Sequence, residues 1–142
     1  MSALLVANLM SRHVETLSPD EDLDLADMIM RLEKLRHLPV VAEGRVVGVL
    51  SERDLLRAQA SSLKALSRKE QRAENLQIKV REAMTKNTVT IAASATALEA
   101  AEIMRERRFG CLPVVDGETL VGIITESDLL EHVIRVLSDP SM

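Results

Sequence analysis

Two short stretches of the chain carry the same polar side chains at the same spacing. Each has a glycine, then a hydroxyl and then a carboxylate: Gly48, Ser51 and Asp54 in the first, and Gly122, Thr125 and Asp128 in the second. A carboxylate only accepts hydrogen bonds, so it can bind two vicinal hydroxyls of a sugar. A hydroxyl at a helix start lies beside unpaired N–H groups that attract a phosphate, and a glycine lets a ligand or a strand approach the backbone closely. The pattern therefore fits a ligand that carries a diol and an anionic group.

The same spacing also has a purely structural interpretation. Ser51 with Asp54, and Thr125 with Asp128, form S/T-x-x-D sequences that are close to a capping box. Such a pair can serve only to begin a helix, although one cap residue can perform both roles. On spacing alone, helix capping and ligand binding stay equally open.

Both stretches belong to a longer internal repeat. The text LPVVAEGRVVGVLSERDLL returns as LPVVDGETLVGIITESDLL, and an offset of 74 residues relates Val6–Ala58 to Val80–His132 without a gap. Two copies in register over this length predict two equivalent folding units. Within a single module, 1–142, the predicted parts are a repeat at 6–58, a helical linker at 59–79, a repeat at 80–133 and a C-terminal tail at 134–142.

Each copy predicts the same order of strands and helices. Short β-prone segments at Val14–Leu17 and Thr88–Ile91 precede a helix with apolar residues at 3–4 spacing. Asp20 and Ser94 are the expected N-caps of that helix. Two β-branched runs around a glycine-containing turn then predict a β-hairpin, and the hydroxyl that ends each hairpin can cap a second helix. The predicted unit is β-α-β-β-α.

The predicted fold class is therefore α+β, with mixed strands and helices. A small sheet with helices on one face leaves an apolar surface exposed, and a second copy can cover it. We expect the two β-α-β-β-α repeats to pack sheet to sheet with pseudo-twofold symmetry. The linker alternates acidic and basic residues, which predicts an extension of the second helix and then a solvated connector.

Composition argues against several kinds of partner. The net charge is −4 and aromatic residues make up 1% of the chain, so it lacks basic patches and stacking platforms for nucleic acid. No apolar run approaches the ~20 residues of a membrane span, and we expect no signal peptide. The lone Cys111 fits a reducing compartment, and His13, His37 and His132 are too far apart for a metal site. We expect a cytoplasmic protein without nucleic-acid, membrane or metal partners.

The repeated motifs resemble a known family. LPVV, a short turn, hhGhh[ST]xxDLL and an upstream Ahxx[IM]M are similar to the cystathionine-β-synthase (CBS) domain, and two copies in tandem resemble a Bateman module. The resemblance covers nearly the whole chain. It implies β-α-β-β-α repeats that pair through their sheets, with clefts between the repeats that bind adenine nucleotides or other adenosyl compounds.

This resemblance implies a role for each matching residue. Asp54 and Asp128 would hold ribose hydroxyls, while Ser51 and Thr125 would touch the phosphate. Arg53 would add positive charge near the first motif, because Ser127 is its counterpart in the second copy.

A base pocket is also implied by the family. Its residues would be Ser11, Thr85, Arg36, His37, Gly110 and Cys111. For each of these side chains taken alone, ordinary surface or edge packing is the favoured explanation, and Cys111 fits a small packed residue better than a redox thiol. Since Arg36 and His37 differ from Gly110 and Cys111, the two clefts should not be equivalent. A nucleotide di- or triphosphate would favour the more basic first cleft.

Catalysis is the least favoured function. Ser51 and Thr125 share no paired general base, because His37 has Cys111 as its counterpart. The sequence and the resemblance together predict a regulatory, energy-sensing module with no obligatory cofactor. It would bind AMP, ADP, ATP, an NAD-type dinucleotide or S-adenosylmethionine and signal to an unknown protein in trans or through a homodimer, head-to-head or head-to-tail. The alternative is a ligand-free scaffold that uses the fold for dimerisation or partner docking.

Overall fold

The chain folds into two units, and one of them is inserted in the sequence of the other. The computed structural model describes residues 3–60, 66–86 and 88–141. The unit that contains Asp54 covers Glu15–Thr88, and we call it the Asp54 unit. The unit that contains Asp128 combines the chain up to Val14 with the chain from Val89 onward, and we call it the Asp128 unit.

Seven helices and five strands are defined in the described part of the chain. In chain order they are α1 (Val6–Leu9), α2 (Leu23–Glu33), β1 (His37–Ala42), β2 (Arg45–Ser51), α3 (Glu52–Ala60), α4 (Arg68–Asn75), α5 (Val80–Ala83), β3 (Ile91–Ala92), α6 (Ala97–Arg107), β4 (Cys111–Asp116), β5 (Thr119–Thr125) and α7 (Glu126–Leu137). None of the helices in these described ranges is both long enough and apolar enough to cross a membrane. Residues 61–65 of the predicted linker and the last residue of the predicted tail lie outside the described residues.

Both predicted hairpins are present. β1 pairs antiparallel with β2, and β4 pairs antiparallel with β5, each with a bulge at the same repeat position. The predicted first strand is present in the Asp128 unit only as the two residues of β3, which begins at the last predicted residue, Ile91, and runs parallel to β4. In the Asp54 unit, Leu17 makes a single parallel bridge to Val40 instead. The Asp128 unit therefore has all elements of the order β-α-β-β-α, whereas in the Asp54 unit a single bridge takes the place of the first strand.

The predicted N-caps of the first helix in each copy were wrong by two residues. Asp22, not Asp20, caps α2 and accepts from the N–H of Leu25, while Thr96, not Ser94, caps α6. The helices begin later because their first N–H groups are already bonded outside the helix. The N–H of Leu23 donates to the carbonyl of Ile78, and that of Ala97 donates to the carbonyl of Leu4. Asp20 instead forms ion pairs with Lys79 and Arg81.

The segment that opens each sequence copy, residues 6–11 in the first and 80–85 in the second, completes the sheet of the other copy, and we call it the lead-in. The N–H and carbonyl of Thr85 exchange hydrogen bonds of 2.9 and 3.1 Å with Val49 of β2. In the Asp128 unit, Ser11 exchanges two hydrogen bonds of 2.9 Å with Ile123 of β5. Each pairing satisfies backbone groups along a strand that would otherwise be an open edge. Sequence repeat and folding unit are therefore different divisions of this chain.

The apolar cores follow the folding units. Val80, which begins α5, is fully buried in the core of the Asp54 unit beside Leu17, Leu38 and Leu50. Its repeat counterpart Val6 is fully buried in the core of the Asp128 unit, whose other members include Leu112, Val114 and Ile124. Burying a side chain of this size contributes about 1.5–3 kcal/mol. Both lead-ins are thus held by side-chain burial as well as by backbone hydrogen bonds.

The second half of the predicted linker packs onto the Asp54 unit. The Arg72 guanidinium of α4 lies 3.5 Å from the Asp24 carboxylate of α2. Asn75 is fully buried at the end of α4, and its side-chain oxygen accepts a 3.0 Å hydrogen bond from Gln71. The basic residues of α4 are otherwise exposed. At the other end of the chain, α7 continues to Leu137 and so includes the first residues of the predicted tail.

Gly48 and Gly122 lie where the lead-ins cross the sheets most closely. A Cβ atom at Gly48 would be 2.8 Å from the Sδ of Met84 and 2.8 Å from the carbonyl oxygen of Thr85. At Gly122 the corresponding atoms belong to Met10 and Ser11, also at 2.8 Å. A methionine tail can move, but a paired backbone carbonyl cannot do so without breaking the sheet. These positions therefore require glycine for the approach of a neighbouring backbone.

Gly48→Ala is expected to lower the free energy of unfolding by about 1–3 kcal/mol, because the added methyl overpacks the contact with Thr85. Urea denaturation followed by circular dichroism measures the change. Val47→Ala on the same strand is the control, since Val47 is partly exposed and its truncation should cost less. A Gly48→Ala protein as stable as the wild type would contradict the inferred close approach.

Candidate functional site

The first candidate motif folds as the turn from β2 into α3. We call residues 51–57 the Asp54 turn. The Ser51 hydroxyl accepts a 3.0 Å hydrogen bond from the Asp54 N–H, and the Ser51 N–H donates at 2.9 Å to Oδ2 of Asp54. This reciprocal pair is a capping box, so the structural interpretation of the S/T-x-x-D spacing is confirmed here.

The second motif repeats this geometry between β5 and α7. We call residues 125–131 the Asp128 turn. The Asp128 N–H donates to the Thr125 hydroxyl at 3.3 Å, and the Thr125 N–H donates to Oδ2 of Asp128 at 2.8 Å. The hydroxyl of Thr125 also donates to the same carboxylate oxygen, at 3.1 Å. Both turns therefore hold one carboxylate oxygen rigidly at the start of a helix.

The Asp54 carboxylate has further partners from outside its turn. Asp54 is only 6% exposed. The Thr85 hydroxyl, on the lead-in that pairs with β2, lies 3.3 Å from Oδ1 and 3.2 Å from Oδ2 and donates its hydrogen bond to the carboxylate. The Arg57 guanidinium is 3.7 Å from Oδ1. Both oxygens of this buried carboxylate are therefore engaged within the protein.

The Asp128 carboxylate is more open. Asp128 is half-buried, and among the described residues its Oδ1 atom has no hydrogen-bond or ion-pair partner. The counterpart of Thr85 is Ser11, whose hydroxyl donates to the carbonyl of His13 at 3.3 Å instead of to Asp128. Glu131 occupies the repeat position of Arg57. The two turns thus share a backbone but differ in what surrounds the carboxylate.

Residues that precede each hairpin also reach the turns. The carbonyl of Arg36 accepts a 2.8 Å hydrogen bond from the N–H of Glu52, the first residue of α3. Gly110 makes the same contact with Glu126 at 3.0 Å. His37 lies opposite Ser51 in the strand register. The structure therefore brings the predicted pocket residues of the Asp54 unit to one end of its sheet.

Cys111 lies opposite Thr125 in the register of the Asp128 unit. Its side chain is buried, and burial raises the pKa of the Cys111 thiol to about 12. A thiol with such a pKa stays protonated at neutral pH and is a poor nucleophile. Its surroundings are those of a small packed residue.

Charge distribution separates the two turns most clearly. The Asp54 turn contains two acidic residues and two arginines, Arg53 and Arg57, whereas the Asp128 turn contains three acidic residues and no basic one. Arg53 and Arg36 are exposed and remain available to solvent or a ligand. Across the described residues, no group of three or more His, Cys, Asp or Glu side chains could hold a metal ion.

Sequence reasoning did not find the Thr85–Asp54 contact or the role of Arg57. Arg57 follows Asp54 by three positions in α3, and this spacing could have indicated that the two side chains are neighbours on the helix. Thr85 is 31 residues from Asp54 along the chain, and no spacing rule links the two residues.

Comparison with known proteins places the chain in a family. The sequence pattern of the CBS domain matches residues 6–61 and 80–135. A CBS domain-containing protein of Dictyostelium discoideum is 38% identical over 137 residues, which cover 94% of this chain and 94% of that protein.

Two solved structures show the same architecture. The CBS domain pair of protein MJ0100, in complex with 5′-methylthioadenosine and S-adenosyl-L-methionine, is 25% identical, with a TM-score of 0.81 over 95% of this chain and 99% of that one. CBSX2 in complex with AMP is also 25% identical, with a TM-score of 0.75 over 94% of this chain and 98% of that one. These similarities confirm the predicted α+β class with two repeats.

Other relatives are longer than this chain. It spans 21% of an inosine-5′-monophosphate dehydrogenase from Thermoplasma acidophilum and 46% of an uncharacterized protein from Methanocaldococcus jannaschii, so these matches concern only a part of each protein. The family pattern itself covers most of this chain, once in each copy of the internal repeat. The chain therefore belongs to the CBS domain family, with two CBS domains in tandem.

Proposed function

We propose that this protein is a non-catalytic regulatory module that binds an adenosine-containing ligand and signals its occupancy to another protein or through its oligomeric state. The observation that carries the proposal is the geometry shared by the two turns. In each, a capping box fixes an aspartate carboxylate beside a hydroxyl at the start of a helix. That arrangement presents a diol acceptor and an anion-binding helix end next to each other.

Ribose recognition is assigned to Asp54 and Asp128. In each case Oδ2 is held by the N–H of the motif hydroxyl residue, at 2.9 Å for Asp54 and 2.8 Å for Asp128. A carboxylate that is already oriented loses little further freedom on binding, so its hydrogen bonds to a diol contribute more of their full strength. Hydrogen bonds to charged groups are also about twice as strong as neutral ones.

Phosphate recognition is assigned to Ser51, Thr125 and Arg53. Both hydroxyls lie at the positive end of a helix dipole, and Arg53 adds a guanidinium on the first turn of α3. A base pocket completes the proposal. It would use Ser11, Thr85, Arg36, His37, Gly110 and Cys111. Arg36 and Gly110 contact a helix start through their carbonyls, which supports a place for both beside the ligand.

The relatives support the ligand class. MJ0100 was solved with 5′-methylthioadenosine and S-adenosyl-L-methionine, and CBSX2 was solved with AMP. All three compounds carry the adenosyl group that the two turns are proposed to bind.

A non-catalytic role fits the contacts of the two hydroxyls. The Ser51 hydroxyl accepts from the backbone N–H of Asp54, and the Thr125 hydroxyl contacts Asp128 within the capping box of α7, so the contacts of both hydroxyls are those of helix caps. Regulation would then operate by population shift, because a ligand favours whichever arrangement of the protein binds it more tightly. The receiver would be a partner in trans or a second copy of this chain in the cytoplasm.

The ligand assignment is tested by isothermal titration calorimetry with AMP, ATP, NADH and S-adenosylmethionine. We expect micromolar binding by the wild type and at least tenfold weaker binding by the double variant Asp54→Ala, Asp128→Ala. Each substitution should also cost about 0.5–2 kcal/mol of stability through its capping box.

Asp22→Ala is the matched control for this experiment. The Asp22 carboxylate also accepts a backbone N–H at the start of a helix, that of Leu25 in α2, but it lies outside both motifs, so its loss should lower stability to a similar extent and leave binding unchanged. No heat from any ligand, with folded protein free of co-purified nucleotide, would favour the ligand-free scaffold. The capping boxes alone would then account for both motifs.

Self-association is proposed to use the helix faces of the Asp128 unit. α7 contains no buried residue, and one stripe of it is apolar and exposed: Leu130, Val133, Ile134 and Leu137. Between α6 and α7 lies a groove of about 330 Å³ with mainly apolar walls. Exposed apolar patches of this kind mark interaction surfaces, and a twofold homodimer is the commonest way to cover one.

Val133→Glu is expected to convert a dimer into a monomer in sedimentation velocity experiments, because it puts a charge in the middle of the apolar stripe. Leu76→Glu is the control, since Leu76 is equally exposed but lies in the Asp54 unit, at the end of α4. A wild-type protein that is monomeric at all concentrations would contradict the proposed dimer.

A further inference from the structure

The two turns have the same hydrogen-bonded frame but opposite electrostatic surroundings. Arg57 lies 3.7 Å from Asp54, which shows that a side chain at this helical position reaches the motif carboxylate. The same position in the Asp128 turn is Glu131, which is exposed. Residues three apart on a helix are neighbours, so Glu131 shares a face with Asp128. A phosphate at the Asp128 turn would therefore meet acidic side chains where the Asp54 turn offers arginines.

Repulsion of this kind is large enough to select between ligands. Two unit charges about 4 Å apart change an equilibrium roughly fivefold in water, and by more where water is excluded. The Asp128 turn carries Glu126 and Glu131 besides Asp128 and has no basic residue to offset them. The helix dipole at the start of α7 favours an anion, but its half-charge is smaller than these full charges.

The carboxylates also differ in their readiness to bind a diol. Oδ1 of Asp128 has no partner among the described residues, so two hydroxyls can approach it without displacing a protein group. At Asp54 the Thr85 hydroxyl occupies the carboxylate, and Arg57 stands beside it. A ligand there competes with the Thr85 hydroxyl for the same carboxylate, which lowers the affinity of the ligand unless another contact offsets the loss. A phosphate that engages Arg53 would supply such a contact.

We propose that the Asp128 turn is selective for an adenosyl ligand that carries no phosphate. Thr85 and the neighbouring arginines make the Asp54 turn dependent on an adenosyl ligand that does carry a phosphate. The ligand class for the Asp128 turn is an adenosine with a neutral or cationic 5′ group, such as a thioether or a sulfonium. The inference rests on the proposed function, because it divides the adenosyl class between the two turns. Thr85, Arg57 and Glu131 are the residues that set the difference.

Calorimetry with 5′-methylthioadenosine and AMP tests the assignment. With the wild type we expect one equivalent of 5′-methylthioadenosine, lost in Asp128→Asn and unchanged in Asp54→Asn. AMP binding should show the reverse dependence and should weaken as salt is raised, because it relies on arginines. Asn keeps the size of Asp and an oxygen that accepts the capping hydrogen bond, so both variants should stay folded.

Two further variants test the residues that set the difference. Glu131→Arg, which copies Arg57, should raise AMP affinity at the Asp128 turn at least fivefold and leave 5′-methylthioadenosine within twofold. Glu102→Arg makes the same charge change on α6 and is the control that should change neither affinity. Thr85→Val removes the hydroxyl from Asp54 and should raise the stoichiometry of 5′-methylthioadenosine from one to two.

The calorimetric results distinguish an error in this inference from an error in the proposed function. If 5′-methylthioadenosine binding depends on Asp54 and not on Asp128, or if AMP binds more tightly at the Asp128 turn, the inference is wrong and ligand binding stands. If the wild type gives heat with neither compound nor with the wider set of nucleotides, the proposed function and the inference are both wrong.

Discussion

Backbone pairing between each lead-in and the second hairpin strand is the contact on which the rest of both units depends. Thr85 with Val49, and Ser11 with Ile123, each exchange two hydrogen bonds. The pairing covers a strand edge and requires glycine at residues 48 and 122, where a carbonyl approaches to 2.8 Å of any Cβ. It also places the Thr85 hydroxyl against the Asp54 carboxylate. Sheet closure and the surroundings of the candidate site thus have one cause.

Features of the fold that depend on short spacing could be predicted from the sequence. The two hairpins, the helices that follow them and the capping role of Ser51 and Thr125 all follow from residues within a few positions of one another. The first helix of each copy was also found, but its cap was misplaced. Its N-terminus in the first copy contains three acidic candidates, Asp20, Glu21 and Asp22, and the hydrogen bond of Leu23 to Ile78 decides between them. That partner lies more than fifty residues away in the sequence.

Exchange of the lead-ins could not be predicted for a different reason. The repeat makes both lead-ins nearly equivalent, with Val6 matched by Val80 and Met10 by Met84. Either lead-in would therefore present the same apolar and backbone groups to either hairpin, and pattern alone cannot assign them. The Thr85–Asp54 contact depends on this assignment, because the unexchanged pairing would have brought Ser11 to Asp54. Both the exchange and the unequal surroundings of the carboxylates are properties of the tertiary structure.

Capping and ligand binding are compatible roles for the two aspartates. The cap uses Oδ2, held by a backbone N–H at 2.9 Å in Asp54 and 2.8 Å in Asp128, and leaves Oδ1 directed to other partners. A capping box therefore supplies the orientation that a diol acceptor needs, at no added loss of conformational entropy on binding. Two exposed residues separate the cap residue from the aspartate in each turn: Glu52 and Arg53 in one, and Glu126 and Ser127 in the other. Their charge can therefore differ between the turns at little cost in stability. One folded frame can thus carry two different ligand preferences.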